Sequence, residues 1–472
     1  MKRIAIIGGG ISGLSAAWAL EQRRRAGAPL EYVLFESSAR FGGVVSSERV
    51  DGCVIEAGPD SFLTEKPWAG DLCRQIGLGD QLIGSNDAGR RTCILVNGRL
   101  IALPDGLMFM IPTKILPAFA SRLFSVRTKF KIAGEWLQPP RKAEADESVA
   151  SFVERHYGAD MVESLVDPLL SGVYGGEASQ LSVRAVLPRL AEMEAKYGSL
   201  GRGMLAARKN TGGPADAPAQ PIFTSLKNGM QQMVDGLLCY FPAGSLRSRT
   251  PVTAIQPHST GWVLSTGNGS DRFEAVVIAT AAHAAAALLG TTNAELAQEL
   301  GRIRYTGSVT ITLGYEPQVR SSLPGGFGFL VPRSEGKRLM AATFVHNKFP
   351  HRAAENRALI RCFLGGSRDE SVLQLSAEEI LRIVREELRQ ILGLASEPRF
   401  SRVYKWQAAM AQYGVGHLER LEGIECLRKQ HPGLALAGNG FRGIGVPDCV
   451  RSGTEAAGQV LSAIGLAREI SS

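Results

Sequence analysis

Three glycines near the start of the chain have the spacing of a phosphate-binding turn. Gly8, Gly10 and Gly13 follow the short apolar run 4–7 and precede a stretch rich in Ala and Leu. The first glycine would permit a tight turn, the second would let a pyrophosphate approach the backbone, and the third would let a helix pack closely on a strand. Free N–H groups at the start of that helix would bind the phosphates. The pattern therefore predicts that a dinucleotide binds here.

The surrounding residues predict the elements that position this turn. Residues 3–7 predict a buried strand, residues 12–26 a helix, and residues 32–35 a second strand that ends at Glu36. Such a βαβ unit places a carboxylate where it accepts hydrogen bonds from the ribose hydroxyls. Because strand, helix and terminal acid agree, we favour dinucleotide binding over a merely structural turn.

The composition is that of a globular protein with two or three folding units. The chain has 472 residues, of which 21% are charged and 44% hydrophobic, and this excludes disordered, collagen-like and small disulfide-rich proteins. Its seven cysteines are scattered singly, so we expect a reduced interior and no metal site. The 54 glycines exceed the average usage of ~7%, which suggests many close backbone approaches to a ligand. The net charge of +8 comes without a nucleic-acid-binding motif, so no nucleic acid partner is expected.

The sequence predicts a cytoplasmic protein without a spanning segment. The apolar run 4–7 is too short for a signal peptide. The most hydrophobic later segment, 106–126, contains two prolines together with Lys114 and Arg122, which argues against a spanning helix. Two interpretations of this segment stay open: a helical cap with a buried face, or a peripheral contact with the inner face of the cell membrane.

Two segments after the ribose acid indicate the kind of dinucleotide. Residues 36–43 (ESSARFGG) contain a basic residue and a glycine pair, and residues 56–62 (EAGPDSF) follow soon after. These segments resemble the flavoprotein amine-oxidase superfamily, whose R-x-G-G element supports FAD. That resemblance implies that Gly58 to Ser61 pass near the flavin, that the Val252 backbone contacts adenine, and that Trp406 lies near the flavin edge.

The end of the chain returns to the opening pattern. A predicted strand at 434–437 leads into a glycine-rich loop at 438–445 and then into a helix, so both chain ends are expected to meet on one cofactor. The FAD-binding residues predicted in this way are Gly8, Gly10, Ile11, Ser12, Gly13, Glu36, Ser37, Arg40, Gly42, Gly43, Gly58, Pro59, Asp60, Ser61, Val252, Trp406, Gly438, Gly445, Val446, Pro447 and Asp448.

Further segments narrow the resemblance to one family. They are GGGISGLSAA at 8–17, LVDPLLSGVYGG at 165–176, GFGFLVP at 326–332, NKFPH at 347–351 and GIGVPDCVRSG at 443–453. Together they resemble the oxygen-dependent protoporphyrinogen and coproporphyrinogen III oxidases of haem synthesis. The chain departs from that family at 409–413 (AMAQY), where a proline usually precedes Gln-Tyr.

The resemblance implies an activity and a substrate site. The activity is a six-electron oxidation of a porphyrinogen to a porphyrin, with non-covalent FAD as cofactor and O2 as acceptor, giving three H2O2. No dedicated acid–base residue is expected, because the flavin carries the hydride transfer. The predicted substrate residues are Gly172, Phe327, Leu330 and Phe363 around the macrocycle and Arg91 and Lys348 for its propionates. Ordinary core packing for the apolar residues, and a solvated surface role for Arg91, are the alternatives.

The predicted fold class is α/β and α+β in three domains. A discontinuous Rossmann-like FAD-binding domain takes residues 1–65, 220–290 and 415–472, and an α+β substrate domain takes 66–90 and 291–414. A helical domain at 91–219 would carry any membrane contact. An amine oxidase or a carotenoid desaturase is the alternative enzyme, and a non-enzymatic flavin-binding scaffold is the alternative of a different class. The residues leave open which porphyrinogen is oxidised and whether the chain forms a homodimer.

Overall fold

The computed structural model describes residues 1–108, 110–141, 145–210 and 220–467. Its first sheet, here called the dinucleotide sheet, joins strands from the start, the middle and the end of the chain. Every neighbouring pair is parallel, and the central strands are buried on both faces, as their continuous apolar runs predict. In spatial order the strands are Leu246–Arg247, Leu30–Phe35, Lys2–Ile7, Ala275–Ile278 and Leu434–Leu436.

Helices cover one face of the dinucleotide sheet, and a small antiparallel sheet packs on the other. On the first face the first helix, Ile11–Arg25, packs against the last helix, Val446–Ala463. A Cβ atom at Gly453 would lie 2.0 Å from the carbonyl oxygen of Ser12, so the two helices approach more closely there than a side chain permits. The opposite face packs against the meander 252–273, and helices Ala282–Leu289 and Ala294–Gly301 belong to the same buried cluster.

The second large unit is a seven-stranded sheet, here called the large sheet. Its order is Phe400–Ala411, Tyr305–Tyr315, Ala358–Gly365, Ala341–Phe344, Gly328–Leu330, Thr92–Val96 and Arg99–Ala102. The long helix Ala377–Leu392 packs on one face and begins with a capping box between Ser376 and Glu379.

One part of the large sheet differs from the predicted domain boundary. Residues 91–102 fall in the segment predicted to be helical, yet Thr92–Val96 pairs with Gly328–Leu330, and Arg99–Ala102 pairs with Thr92–Val96. Residues 93–95 are apolar and buried. Cys93 and Leu95 belong to the hydrophobic cluster on one face of the large sheet, and Ile94 belongs to the cluster on the other face. The boundary at residue 91 therefore does not coincide with the end of this sheet.

Residues 115–210 are helical apart from their connections and the undescribed residues 142–144. The helices are Ile115–Ala120, Val126–Glu135, Val149–Tyr157, Ala159–Met161, a π-helical turn at Val162–Val166, Asp167–Tyr174, Val183–Val186, Pro188–Tyr197 and Leu200–Asn210. His156 lies buried at their centre, with its ring nitrogens 3.4 Å from Glu135 and 3.2 Å from Glu194. Within the described residues, no helix is long and apolar enough to cross a membrane.

The remaining elements connect these units. They are Ser47–Val50 paired with Cys53–Glu56, Phe62–Leu63 and Leu82–Gly84 on either side of Phe223–Leu226, Leu107–Met108 paired with Ile111–Pro112, the meander Val252–His258, Gly261–Thr266 and Gly269–Phe273, and helices Pro67–Gln75, Gln231–Leu238, Pro317–Ser322, Val345–Lys348 and His417–Lys429.

The contact between the first and last helices yields a paired test of packing. Gly453→Ala is expected to lower the free energy of unfolding by about 1–3 kcal/mol, because the added methyl group overpacks a tight contact. Gly458→Ala, on the same helix with open space at its Cβ position, should instead raise it by about 0.4–1 kcal/mol. Urea unfolding followed by circular dichroism compares the two. Equal stabilities would contradict the close approach of the helices.

Candidate active site

The glycine turn connects the first strand of the chain to the first helix. Gly8 has φ +106°, and a Cβ atom there would lie 2.7 Å from the carbonyl oxygen of Ala279. Gly13 is equally constrained, because its Cβ would lie 1.9 Å from the Gly8 carbonyl oxygen. Gly10 differs from both: it is the N-cap of the helix, and a Cβ atom there would have no heavy atom within 4 Å. The turn thus has open space only at the position where the sequence predicts the pyrophosphate.

Glu36 ends the neighbouring strand and lies beside this turn. Its Oε2 accepts a hydrogen bond from the Gly9 N–H at 2.7 Å, and its Oε1 accepts one from the Ser38 N–H at 2.7 Å. Parallel pairing of Lys2–Ile7 with Leu30–Phe35 brings the two strand ends to one edge of the sheet. The structure therefore places the predicted ribose acid next to the predicted phosphate turn.

The segment after Glu36 folds back against the same turn. The Arg40 guanidinium donates to three carbonyl oxygens, at Phe41, Gly43 and Val45. The Gly42 N–H donates to the Gly9 carbonyl oxygen at 2.7 Å. Arg40 therefore acts on the backbone of its own loop and holds the glycine pair against the start of the first helix.

Residues 56–60, here called the EAGPD segment, are held by basic side chains from the large-sheet unit. The Glu56 carboxylate lies 2.9 Å from Arg352, and the Asp60 carboxylate lies 3.0 Å from the Lys348 ammonium. Between them the Gly58 carbonyl oxygen accepts a hydrogen bond from Arg361. Three cationic side chains therefore bind the segment at residues 56, 58 and 60.

Burial and charge act in opposite directions on these groups. Burial alone would raise the pKa of the Asp60 carboxyl, but the positive charges of Lys348, Arg361 and Arg352 outweigh it and hold that pKa well below its usual range. Burial lowers the pKa of the Lys348 ammonium, and Asp60 opposes that shift. Burial also raises the pKa of Glu56 against the influence of Arg352. Asp60 stays ionised at neutral pH.

Two further side chains of the large sheet fix the same segment. The Ala57 carbonyl oxygen accepts hydrogen bonds from the Trp406 indole N–H at 2.8 Å and from the Thr310 hydroxyl at 2.9 Å. Trp406 thus lies against the EAGPD segment, where the flavin edge was predicted. A Cβ atom at Gly58 would lie 1.9 Å from the Val44 carbonyl oxygen, so the segment also packs tightly on the loop that follows Arg40.

The glycine-rich loop at 438–445 is held by a tyrosine. The Tyr413 hydroxyl donates to the Asn439 carbonyl oxygen at 2.7 Å and accepts from the Gly443 N–H at 2.9 Å, while its ring stacks on His417. Tyr413 is the last residue of the segment 409–413 that departs from the family pattern. Gln412 completes this arrangement, because its side-chain amide donates to the Tyr174 carbonyl oxygen at 2.7 Å.

The last helix begins directly after that loop. Gly445 is its N-cap, and Val446 and Pro447 open its first turn. Asp448 is buried and lies 2.7 Å from the Lys66 ammonium, so its charge is partly balanced by a lysine as well as by the positive end of the helix. Cys449 is buried, and burial raises the pKa of its thiol to about 12.

Two of the four predicted macrocycle residues, Gly172 and Leu330, lie close together, and Phe363 lies on the same face of the sheet as Leu330. A Cβ atom at Gly172 would lie 3.8 Å from a methyl carbon of Leu330, an ordinary contact distance. Leu330, Ala341 and Phe363 lie side by side on three adjacent strands, so their side chains share one face of the large sheet. The row continues to Thr310, whose hydroxyl donates to the Ala57 carbonyl oxygen of the EAGPD segment. An apolar wall therefore leads from Gly172 to that segment.

The other predicted substrate residues lie elsewhere. Phe327 is buried just before this strand, and its N–H donates to the Arg91 carbonyl oxygen at 2.7 Å. The Arg91 side chain is exposed. Lys348 is buried in its ion pair with Asp60 and also lies 4.5 Å from the centre of the Phe223 ring. The structure places Lys348 with the EAGPD segment, not on an open rim.

The sequence prediction missed Arg352, Arg361 and Tyr413. A local signal existed for Arg361, because it interrupts the apolar run 358–364, and a charge in a buried strand needs a partner. Its partners lie some 300 residues earlier in the chain, at 56–60.

Comparisons with known proteins agree with this geometry. A model of the family described as flavin containing amine oxidoreductase matches residues 11–461. The chain is 34% identical over 464 residues to a coproporphyrinogen III oxidase of Bacillus subtilis, covering 98% of both chains. It is 29% identical to the protoporphyrinogen oxidase of Homo sapiens over 483 residues, again with 98% of both chains.

Solved structures show the same fold. A crystal structure of a protein from Exiguobacterium sp. 255-15 matches with a TM-score of 0.86 at 30% identity and covers 97% of this chain and 98% of its own. Cyclohexylamine oxidase from Brevibacterium oxydans matches with a TM-score of 0.70 at 18% identity, with 98% and 99% covered, and so shows the fold alone.

The fold and the glycine turn define a dinucleotide-binding flavoprotein oxidoreductase, and its cofactor is FAD. More narrowly, the chain belongs to the flavin-containing amine oxidoreductase family. The residues fit the cofactor, because the open space at Gly10 lies at the helix N-terminus and beside the Glu36 carboxylate.

The open space at Gly10 can be tested directly. Gly10→Val is expected to weaken FAD binding at least about tenfold, ~1.4 kcal/mol, because its side chain fills the space where the phosphates approach. The flavin-free protein should lose only about 1 kcal/mol of stability, the cost of valine at a helix N-cap. Isothermal titration with FAD and urea unfolding measure the two quantities.

Gly13→Ala provides the contrast. Its Cβ atom would meet the Gly8 carbonyl oxygen, so the flavin-free protein itself should lose stability. Full FAD affinity in Gly10→Val would show that the phosphates do not approach the turn there.

Proposed function

We propose that the protein oxidises a porphyrinogen to the corresponding porphyrin in haem biosynthesis, with O2 as the final acceptor. The reaction removes six electrons and six protons from the macrocycle and passes them to three O2, which become three H2O2. The observation that carries the proposal is the apolar wall of Leu330, Ala341 and Phe363, which faces Gly172 at one end and reaches the EAGPD segment at the other.

This arrangement suits a flat, apolar substrate. When bound, FAD supplies the hydride acceptor, so the protein has to bind and orient the macrocycle and keep water away from it. Gly172 lets the macrocycle approach a helix backbone next to Leu330, and the rest of the wall supplies apolar contact. The predicted FAD contacts at 8–13, 36–43, 58–61, Val252 and 438–448 complete the site in this proposal.

The relatives favour this substrate class over the alternatives. Three of the curated relatives, at 29–34% identity over 98% of this chain, are named coproporphyrinogen III oxidase. The amine oxidases match at 17–18% identity, which supports only a common fold. We therefore propose coproporphyrinogen III as the preferred substrate and protoporphyrinogen IX as the second candidate.

Initial rates on the two porphyrinogens test the proposal. In air the purified yellow protein should produce fluorescent porphyrin and three H2O2 per porphyrin, faster with coproporphyrinogen III. Protein that is flavin-loaded yet inert to both substrates would refute the proposed function. Faster turnover of protoporphyrinogen IX would refute the substrate preference alone.

Gly172→Val tests the placement of the macrocycle. We expect it to keep its flavin but lose at least about tenfold in kcat/KM, ~1.4 kcal/mol, because the valine side chain enters the space between Gly172 and Leu330. Gly423→Val, an exposed helical glycine with open space around it, is the matched control. Equal kcat/KM in both variants would place the macrocycle elsewhere.

We also propose a peripheral membrane contact on the helical segment. Leu116, Val126 and Phe130 are 83%, 69% and 68% exposed, and the Phe119 ring lies edge-on to Phe130 at 6.3 Å. Exposed basic residues, Lys114, Arg122 and Arg127, border this patch. An apolar patch with a basic border suits an anionic bilayer surface. Part of the predicted helical cap is nevertheless buried, at Ile111, Ala118, Leu123 and Phe124.

Vesicle sedimentation tests this contact. The protein should sediment with phosphatidylglycerol-containing vesicles at low salt, and the double variant Leu116→Ser, Phe130→Ser should lose at least about tenfold in partition coefficient, since two large side chains leave the bilayer interface. Val415→Ser, an exposed apolar residue elsewhere, is the control. Wild-type protein that stays in the supernatant would refute the contact.

A further inference from the structure

Arg361 lies between the EAGPD segment and the apolar wall that contains Phe363. It belongs to strand Ala358–Gly365 and is only 3% exposed. Its guanidinium donates to the Gly58 carbonyl oxygen, and its central carbon lies 5.0 Å from the centre of the Phe363 ring. Arg361 and Phe363 are two residues apart on one strand, so both side chains project from the same face of the sheet. One guanidinium thus contacts both the EAGPD segment and the apolar wall.

A direct ion pair does not explain why Arg361 is buried at this position. The two buried carboxylates of the EAGPD segment each have their own cation, since Asp60 pairs with Lys348 and Glu56 with Arg352. Among the described residues no carboxylate lies within ion-pair distance of Arg361, and its Nε has no hydrogen-bond partner. Burying an arginine this deeply is unfavourable unless other contacts compensate. Its hydrogen bond to Gly58 and its contact with the Phe363 ring are the direct compensating contacts, and the charges of Asp60 and Glu56 add a longer-range attraction.

We propose that Arg361 is a positioning residue that holds the Gly58 backbone and the Phe363 ring in one fixed arrangement. Through Gly58 it fixes the segment assigned to the flavin, and through Phe363 it fixes the wall assigned to the macrocycle. A planar guanidinium suits both contacts, because its edge can donate the hydrogen bond while its face is available to the ring. The part concerning Phe363 rests on the proposed function, and the part concerning Gly58 requires only FAD.

Two variants of Arg361 separate these contacts. Arg361→Lys keeps the charge and a donor but loses the planar face, whereas Arg361→Met loses the charge and the donor. We expect Arg361→Met to raise the dissociation constant of FAD about tenfold, because a charge-assisted hydrogen bond to the segment is lost. Arg361→Lys should recover most of this loss. Arg338→Met is the control, since Arg338 bonds Asp369 and Ser371 on another part of the same unit.

A double-variant cycle with Phe363→Leu tests the second contact. Arg361→Met should raise the KM for porphyrinogen about 5- to 30-fold, with a smaller change in kcat, because an oriented cation over a ring contributes on that scale. In the Phe363→Leu background the same change should raise KM less than threefold, since the ring that Arg361 orients is already gone. A purely structural role would instead give equal factors in both backgrounds.

The outcomes distinguish the two proposals. If wild-type protein does not oxidise porphyrinogens, the proposed function fails, while the FAD dissociation constants still test the Gly58 contact. Unchanged FAD affinity in Arg361→Met refutes that contact, and equal KM factors in the two backgrounds refute the coupling to Phe363. Should Arg361→Met fail to fold, Arg361→Lys in the same cycle tests the Phe363 contact, because lysine lacks the planar face.

Discussion

The EAGPD segment is the place where the two sheets of the molecule are joined through buried charge. Glu56 and Asp60 come from the unit that carries the dinucleotide sheet, while Lys348, Arg352 and Arg361 come from the unit that carries the large sheet. A buried carboxylate without a cation would be strongly unfavourable, so neither half of this cluster is stable alone. The position of the EAGPD segment relative to the apolar wall depends on this pairing.

This arrangement explains why apolar packing alone would not suffice. Hydrophobic contacts are non-directional and tolerate small displacements of one sheet against another. The hydrogen bonds to the Ala57 and Gly58 carbonyl oxygens are directional, and they come from Trp406, Thr310 and Arg361 on three adjacent strands. A loop held at consecutive carbonyl groups has little freedom to shift relative to the sheet. Hydride transfer between two rings requires positioning of this kind.

Several strands and helices could be predicted from the sequence, because the hydrophobic pattern and the turn residues within each segment determine them. The first strand, helix and second strand appear within two residues of their predicted bounds, and the strand predicted at 434–437 appears at Leu434–Leu436. Strand 92–96 was missed although it forms a local hairpin with Arg99–Ala102, and its other partner, Gly328–Leu330, lies more than 200 residues away. The ion pairs of the EAGPD segment were missed because the paired residues lie far apart in the sequence. Lys348 was accordingly assigned to the substrate, because a cation in the sequence does not reveal the anion it faces.

The glycines show where sequence pattern reaches its limit. Gly8, Gly10 and Gly13 belong to one motif but differ in their surroundings. At Gly8 and Gly13, backbone atoms occupy the space that a Cβ atom would need, whereas at Gly10 that space is open. Close packing explains the first kind completely. The second kind has no explanation within the protein, since an alanine at Gly10 would meet no protein atom. Open space alone does not indicate a ligand, because Gly423 and Gly458 have it too; at Gly10 the inference follows from that space together with the helix N-terminus and the neighbouring Glu36 carboxylate.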